Sequence, residues 1–290
     1  MAGKPNLLPK EHGAYAELAF PLVTGLALSR PSLPALALAA AAVAFFLANE
    51  PAAVLLGVRG MRLKDQVGER ARRRAATLVS GGILLGVTGI LSAGSTVWPV
   101  ILLPLGSGIL LIPMVLAGRH KSVPGELLVV SAFTTLLLPL ASASGANPGR
   151  AVAAMGVWWV SFTLGTLEVH AIKARLKKTG RSDWTRWGSP LASGVVILGA
   201  LGVAFGAFGP WPGAGLQGNG PVAPLPGVGG AWAWAVAATP YLPNAARAVL
   251  PPTMAILALS VIRVHPKRLK RVGWTLVGAN SLALLLLLLG

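Results

Sequence analysis

The chain has 290 residues, of which 54% are hydrophobic and only 11% are charged, and its mean hydropathy is +0.70. A soluble domain carries about twice that charged fraction, so the composition excludes an ordinary soluble protein. The formal net charge is +17, and the chain contains no cysteine, which excludes disulfides and thiolate metal ligands.

Nine apolar segments follow one another along the chain, and most approach the ~20 residues that a helix needs to cross a bilayer. Lipid offers no hydrogen bonds to the backbone, so each segment is predicted to be helical. The segments are Gly13–Leu28, Ser32–Asn49, Ala75–Leu91, Val97–Leu116, Gly125–Leu140, Val152–Ala171, Pro190–Phe208, part of Gly229–Ile262, and Gly273–Leu289. The predicted fold is an all-α polytopic membrane protein, a single domain over residues 1–290 with about nine transmembrane helices.

The eighth segment is too long for one straight span and contains several prolines, among them Pro251 and Pro252. Proline inside a helix removes a backbone hydrogen bond, so this segment predicts a short interfacial or half-inserted helix followed by a span from about Pro252. The preceding stretch, residues 209–230, is rich in glycine and proline and has no charge. It is predicted to be an extracytoplasmic loop.

The positive charge lies almost entirely in alternate connections between the segments. Twenty-two of the 25 basic residues are Lys4, Lys10, Arg59, Arg62, Lys64, Arg70, Arg72, Arg73, Arg74, Arg119, Lys121, Lys173, Arg175, Lys177, Lys178, Arg181, Arg186, Arg263, Lys267, Arg268, Lys270 and Arg271. Only Arg30 and Arg150 lie on the other side, and Arg247 is ambiguous. The positive-inside rule then places the N-terminus in the cytoplasm and the C-terminus outside, with basic cytoplasmic loops at residues 50–74 and 172–189.

This charge pattern also bears on location and partners. Basic residues in short loops beside apolar spans are explained by topology and by anionic lipid headgroups, so membrane lipids are expected partners and nucleic acid is not. The first apolar segment lacks a cleavage-type end and is interpreted as a retained span and not as a signal peptide. The predicted location is the bacterial cytoplasmic (inner) membrane.

The rare acidic residues are predicted to lie near the cytoplasmic membrane face. Glu17 lies inside the first span, Glu50 ends the second, Glu126 begins the fifth, and Glu168 is in the last turn of the sixth. Carboxylates at this depth are costly and usually face a bundle interior or a wet cavity. We therefore expect them to converge on a polar chamber; the alternative is that each pairs with a nearby arginine at the interface.

Histidines near these carboxylates do not form a metal motif. His12 and Glu17 are five residues apart, and Glu168 and His170 are two apart, so the members of each pair lie on different helix faces. We include His12, Glu17, Glu126 and His170 in the predicted chamber. The sequence has no HExxH motif and no Gly-rich phosphate loop of the GxxxxGK type.

The first residues carry a more specific signal than the composition. The segment reads Leu7-Leu8-Pro9-Lys10-Glu11-His12-Gly13-Ala14-Tyr15-Ala16, it continues into Phe20-Pro21 and Gly25, and Asn49-Glu50-Pro51 ends the second span. It resembles the N-terminal signature of the YwiC-like family of bacterial membrane proteins, in which a PKEHGAWA segment precedes the first span. The resemblance implies a membrane protein of this length and span pattern, and it implies no particular activity.

The nine-span plan, with long polar cytoplasmic loops after the second and sixth spans, resembles the UbiA-type intramembrane prenyltransferases. In that family, aspartate-rich motifs in these two loops hold Mg²⁺ on a prenyl diphosphate. The first motif falls on Asn49, Glu50, Ala53 and Gly57, and only the first two keep a compatible side chain. The resemblance therefore implies a UbiA-like bundle in which most of the aspartates are missing.

The second motif falls after the sixth span, where Glu168 is followed by basic residues in place of acids. Glu50 and Glu168 are the carboxylates that remain for a magnesium ion. The residues predicted to bind the polar head of an isoprenoid, quinone or other amphiphile are Asn49, Glu50, Arg59, Arg62, Glu168, Lys173 and Arg175. Metal-independent binding or a different lipid reaction is expected, because the Mg²⁺ motifs are incomplete.

Two other classes of function stay open. The intramembrane glutamates could serve a transporter as proton or cation sites, although the sequence has no clear internal repeat of the kind that transporters often show. The abundant small residues also suit a non-catalytic structural partner of a membrane complex.

Overall fold

The computed structural model describes residues 7–9, 12–119, 121–176, 184–204, 238–262 and 269–289. Within these residues the regular structure is entirely helical, without a strand. The helices are α1 (His12–Ala27), α2 (Leu33–Leu55), α3 (Met61–Ala93), α4 (Trp98–Leu116), α5 (Val123–Thr135), α6 (Leu137–Ala143), α7 (Pro148–Leu176), α8 (Trp184–Ala204), α9 (Leu242–Ile262) and α10 (Leu269–Leu289). A 3₁₀ turn, Thr239–Tyr241, precedes α9.

Seven segments of the described chain are long and apolar enough to cross a membrane. They are α2, α3, α4, α5 with α6, α7, α9 with its 3₁₀ turn, and α10. The 16-residue α1 and the apolar part of α8, Pro190–Leu201, are shorter. The predicted all-α polytopic membrane fold is confirmed, whereas the predicted number of nine spans is approximate, since two of the nine positions hold shorter helices.

The exposed surface of the bundle requires an apolar solvent. In the most apolar windows of α3 and α4, only 11% and 17% of the residues are buried inside the protein. Leu84, Leu102 and Ile109 are each more than 60% exposed. A soluble monomer rarely exposes apolar patches of this extent, so lipid covers these helices.

The basic segment after α2 is mostly helical. The sequence assigned residues 50–74 to a loop, but α2 continues to Leu55 and α3 begins at Met61. Arg, Lys, Glu, Gln and Ala have high helix propensity, so the polar start of α3 forms helix ahead of the apolar span. Glu69 reinforces it, since its carboxylate accepts hydrogen bonds from Arg72 and Arg73 at 3.1 and 2.9 Å.

The prediction that a new span begins at about Pro252 is wrong. Helix α9 begins at Leu242 and continues through Pro251 and Pro252 without a break. Two adjacent prolines remove only two N–H donors, and α7, α8 and α10 pack against this helix and hold its backbone in place. Residues 209–230 and the start of the predicted preceding helix, up to residue 237, lie outside the described residues.

A real break divides the fifth span. Helix α5 ends at Thr135 and α6 begins at Leu137. Pro139 has no N–H to donate to the carbonyl oxygen of Thr135, which accounts for the interruption at this point. The far end of α6 is tied to α2, because the Ser32 hydroxyl donates to Ala143 O (2.8 Å) and also accepts from the Ala35 N–H at the start of α2 (3.2 Å).

Helix α1 lies at the centre of the bundle, in contact with α2, α5, α6, α7 and α10. Its main anchor is Trp158 of α7, which is fully buried and stacks on Phe20 at a centroid distance of 5.1 Å. The Trp158 indole N–H donates to Thr24 Oγ1 at 2.9 Å. Trp158 also stacks on Phe162, at 5.7 Å. These contacts fix the register of α1 against α7.

Candidate functional site

The end of α2 holds a buried carboxylate paired with an arginine. Glu50 is 4% exposed, and Arg59 Nη2 donates to Glu50 Oε2 at 2.5 Å. Gly57 and Gly60, with φ of +73° and +100°, form the turn that reverses the chain and brings Arg59 back over the helix end. The pair therefore combines a carboxylate fixed in the bundle with a guanidinium whose side chain is 32% exposed.

The other predicted head-site residues lie at the surface, near the ends of their own helices. Asn49 is exposed beside Glu50, and Arg62 is exposed in the first turn of α3. Lys173 is exposed near the end of α7, whereas the side chain of Arg175 lies outside the described set. None of these three described side chains is buried, so they are accessible to solvent or to a lipid headgroup.

Glu168 on α7 is fully buried against α9. Its Oε2 accepts a hydrogen bond from the Ser260 hydroxyl at 3.0 Å. Ser260 itself is 8% exposed. A carboxylate at this depth is costly unless hydrogen bonds or charges compensate it, so this position is a candidate for function by the same argument that applied to the sequence.

Two members of the predicted chamber form a direct pair. His170 Nε2 lies 2.9 Å from Glu126 Oε2, joining α7 to the first turn of α5. Their side chains are 23% and 30% exposed. Glu168 and His170 therefore contact different helices, α9 and α5, as their two-residue spacing on α7 requires.

Glu17 lies on the central helix α1, is half-buried, and makes an interaction of its own. His12 begins α1, but its side chain is outside the described set. Helix α1 contacts both α2, which carries Glu50, and α7, which carries Glu168. The described side-chain contacts of the predicted residues form three separate pairs, Glu50–Arg59, Glu126–His170 and Glu168–Ser260, and none of these hydrogen bonds joins one pair to another.

The described residues do not fit a magnesium site. They contain no group of three or more His, Cys, Asp or Glu side chains close enough to hold a metal ion. Magnesium requires octahedral oxygen ligands. Glu50 is instead neutralised by an arginine and Glu168 accepts a bond from a serine.

Ser260 is the functional candidate that the sequence did not reveal. It lies 92 residues from Glu168, and serine is common in membrane helices, so no local pattern distinguishes it. The sequence signal for Ser260 is its position three residues before the basic connection that follows α9. Glu126 and His170 were both predicted to line the chamber, but the sequence does not indicate that they pair with each other.

The seven apolar helical segments of the described chain define a polytopic helical membrane protein, and Glu50 and Glu168 are buried in it with partners from another turn or helix. Residues 8–142 match the family model described as YwiC-like protein. The resemblance predicted from the N-terminal segment is confirmed over these residues. No curated protein and no solved structure matches the chain.

Proposed function

We propose that this YwiC-like membrane protein binds the anionic head of an amphiphile, such as an isoprenoid phosphate, at the end of α2. The observation that carries the proposal is the pair between buried Glu50 and partly exposed Arg59. The apolar helices beside it can hold the tail. Small-molecule sites commonly combine apolar walls with a few fixed polar groups of this kind.

The geometry of the pair supports an anionic head in preference to a neutral one. Guanidinium has five N–H donors in a planar fork, and Glu50 accepts from Nη2. The buried carboxylate therefore orients the guanidinium, while the exposed part of Arg59 can donate to phosphate oxygens. Arg62 adds positive charge in the first turn of α3, Lys173 adds positive charge near the end of α7, and Asn49 adds a neutral donor.

The proposal is binding without magnesium. Ala53 and Gly57 stand where the UbiA-like motif would supply two aspartates, and the described residues lack a metal-ligating cluster. Ionisation of an allylic diphosphate depends on neutralising the leaving group, which two arginines and a lysine do poorly compared with bound metal ions. A prenyl or lipid transfer reaction is therefore left as an outcome of the binding experiment.

The location follows from the distribution of charge. We infer that the protein is in the bacterial cytoplasmic membrane with its N-terminus inside, because the basic residues gather in alternate connections. The Glu50–Arg59 pair then faces the cytoplasm, as do Glu126, Glu168 and Lys173. An amphiphile would enter from the inner leaflet with its head at the level of the anionic headgroups.

The proposal is tested by binding of a labelled prenyl diphosphate to the purified protein in nanodiscs, with Mg²⁺ and with a chelator. Binding is expected under both conditions. Arg59→Gln is expected to weaken it about tenfold or more, because a hydrogen bond to a charged group is worth ~1.5–3 kcal/mol. The Glu50→Ala, Glu168→Ala double variant should also bind weakly, because the guanidinium loses its orienting partner.

Arg72→Gln and Glu69→Ala are the matched controls, since this exposed arginine–glutamate pair lies on the same polar segment of α3. They should bind as the wild type does. Strong Mg²⁺-dependent turnover would show that the protein is a transferase despite its missing aspartates. If the wild type binds no isoprenoid and the double variant has the phenotype of the wild type, the protein is instead a structural partner in a membrane complex.

A further inference from the structure

A small niche lies at the end of the bundle where α7 and α9 begin and α10 ends. It is lined by alanines of α7 and α9 together with Leu28, Arg150, Tyr241, Asn244 and Leu287. Its volume is about 10 Å³, so it has room for about one water-sized group. The walls are mostly apolar, and a guanidinium and a phenol are among the polar groups that line it.

Arg150 is the charged residue of the niche and is half-buried. Its Nη2 donates to Leu287 O at 3.2 Å and to Leu288 O at 3.4 Å. The last carbonyl groups of a helix have no partner within the helix, so Arg150 caps the end of α10. The cap uses Nη2 alone, and Nε and Nη1 have no acceptor among the described residues. The cap therefore orients the guanidinium and leaves donors for another ligand.

Tyr241 adds a second donor to the same niche. It lies in the 3₁₀ turn before α9, and its half-buried side chain packs against the main hydrophobic core. Its hydroxyl makes no hydrogen bond to any described residue, whereas a buried tyrosine hydroxyl usually has a partner. Because the niche is only water-sized, an oxygen atom placed in it lies beside both Arg150 and Tyr241.

The charge at this end of the bundle favours an anion. Arg30, in the connection after α1, and Arg247, near the start of α9, are both exposed here. The connections at residues 28–32 and 144–147 contain no acid, and the sequence has no acid after Asp183. Positive charge without acidic neighbours attracts anions to the surface, and apolar walls strengthen their interaction with it.

We propose that this niche binds a phosphate group, with one phosphate oxygen between the Arg150 guanidinium and the Tyr241 hydroxyl. Phosphate oxygens accept strong hydrogen bonds from guanidinium, which is the usual group for this recognition. The niche takes one oxygen, and the exposed part of Arg150 can donate to a second oxygen at the surface. Inorganic phosphate and the headgroup of a phospholipid offer the same chemistry, and the experiment below distinguishes them.

The phosphate niche is separate from the Glu50–Arg59 pair. The Ser32 hydroxyl, at the start of α2, donates to Ala143 O shortly before α7 begins, so α2 and α7 begin at the same end of the bundle. Glu50 is 18 residues further along α2 than Ser32, which is about 27 Å at 1.5 Å per residue. The niche therefore stands or falls independently of the proposed amphiphile site.

The test measures Tm of the purified full chain in phosphate-free dodecyl maltoside micelles. In one arm sodium phosphate replaces NaCl at constant ionic strength, and in the other dioctanoyl phosphatidic acid replaces dioctanoylglycerol. A ligand that binds only the folded state raises Tm with its concentration. The wild type should show a saturable rise with phosphatidic acid and none with dioctanoylglycerol. An equal rise with inorganic phosphate assigns the site to the phosphate group alone, and a rise with the lipid only assigns it to a headgroup.

Arg150→Gln should lose the saturable rise, and Arg59→Gln should keep the part of it that depends on Arg150. Tyr241→Phe keeps the ring and should need about tenfold more probe for the same rise, because one hydrogen bond to a charged group is lost. The general stabilisation of proteins by phosphate does not saturate and is common to all variants. Since Arg150→Gln also removes the cap of α10, the readout is the probe-dependent rise and not Tm itself; if this variant does not fold, Tyr241→Phe decides.

Arg247→Gln is the matched control, because it removes the same charge at the same end of the bundle but does not line the niche. It should respond to both probes as the wild type does. A wild type without a saturable response to either probe overturns the proposal, since Arg150 is then a helix cap beside a water molecule. An unchanged response in Arg150→Gln and Tyr241→Phe, or an equal loss in Arg247→Gln, also overturns it.

Discussion

Replacing Gly25 by valine is expected to lower the free energy of unfolding by about 1–3 kcal/mol, the usual cost of overpacking. Gly25 is where the central helix α1 comes closest to α6. A Cβ there would lie 3.0 Å from Leu137 O, 3.0 Å from Leu140 Cβ and 3.3 Å from Leu137 Cα. Two of these atoms belong to the backbone, so α1 itself has to move, and the contacts of Trp158 with Phe20 and Thr24 move with it.

The measurement is chemical or thermal denaturation in detergent micelles, with Gly25→Ala as the intermediate step and Gly156→Ala as the control. A Cβ on Gly156 meets nothing within 4 Å, and alanine is the better helix former. The control should therefore be neutral or slightly stabilising. A Gly25→Val variant as stable as the wild type would contradict the close approach of α1 and α6.

Replacing Arg59 by alanine is expected to destabilise the protein by about 3 kcal/mol, because it leaves the Glu50 carboxylate buried without its cation. The loss of stability comes from the carboxylate that is left without a partner. Adding Glu50→Gln to the same variant should restore much of the loss, since a neutral amide is far less costly to bury than a lone charge. Stability of the single variants and the double variant, measured as a double-mutant cycle, gives the interaction directly.

Arg72→Ala is the comparison for this cycle, because it breaks an exposed arginine–glutamate pair on the same segment of α3. Such surface pairs contribute little, so no measurable change is expected. Equal losses from Arg59→Ala and Arg72→Ala would mean that the Glu50–Arg59 pair is an ordinary surface contact. The amphiphile proposal would then lose its preorganised arginine.

The membrane fold could be predicted because its cause is periodic and local. Length and apolarity of each segment set the helices, and the nine predicted positions coincide with helices in the described chain. The predicted helix boundaries were wrong where they depended on proline alone. Pro251 and Pro252 did not end α9, because packing against three neighbours holds its backbone, while Pro139 did break the fifth span.

The candidate site could be predicted only as a set of residues. Glu50, Glu126, Glu168 and His170 stand out because charge is rare in apolar segments. Their partners depend on which helices pack together, and helix packing between small residues leaves little trace in a single sequence.

We propose that the head site lies at the cytoplasmic face, and the side of the membrane can be measured directly because the chain has no cysteine. Val58→Cys reports on the turn that carries Arg59, and Ser95→Cys reports on the turn between α3 and α4; both positions are exposed. With a membrane-impermeant maleimide on intact cells, Ser95→Cys should be labelled at once and Val58→Cys only after permeabilisation. Labelling of Val58→Cys from outside, with Ser95→Cys protected, would contradict the orientation and place the head site on the wrong face for an inner-leaflet amphiphile.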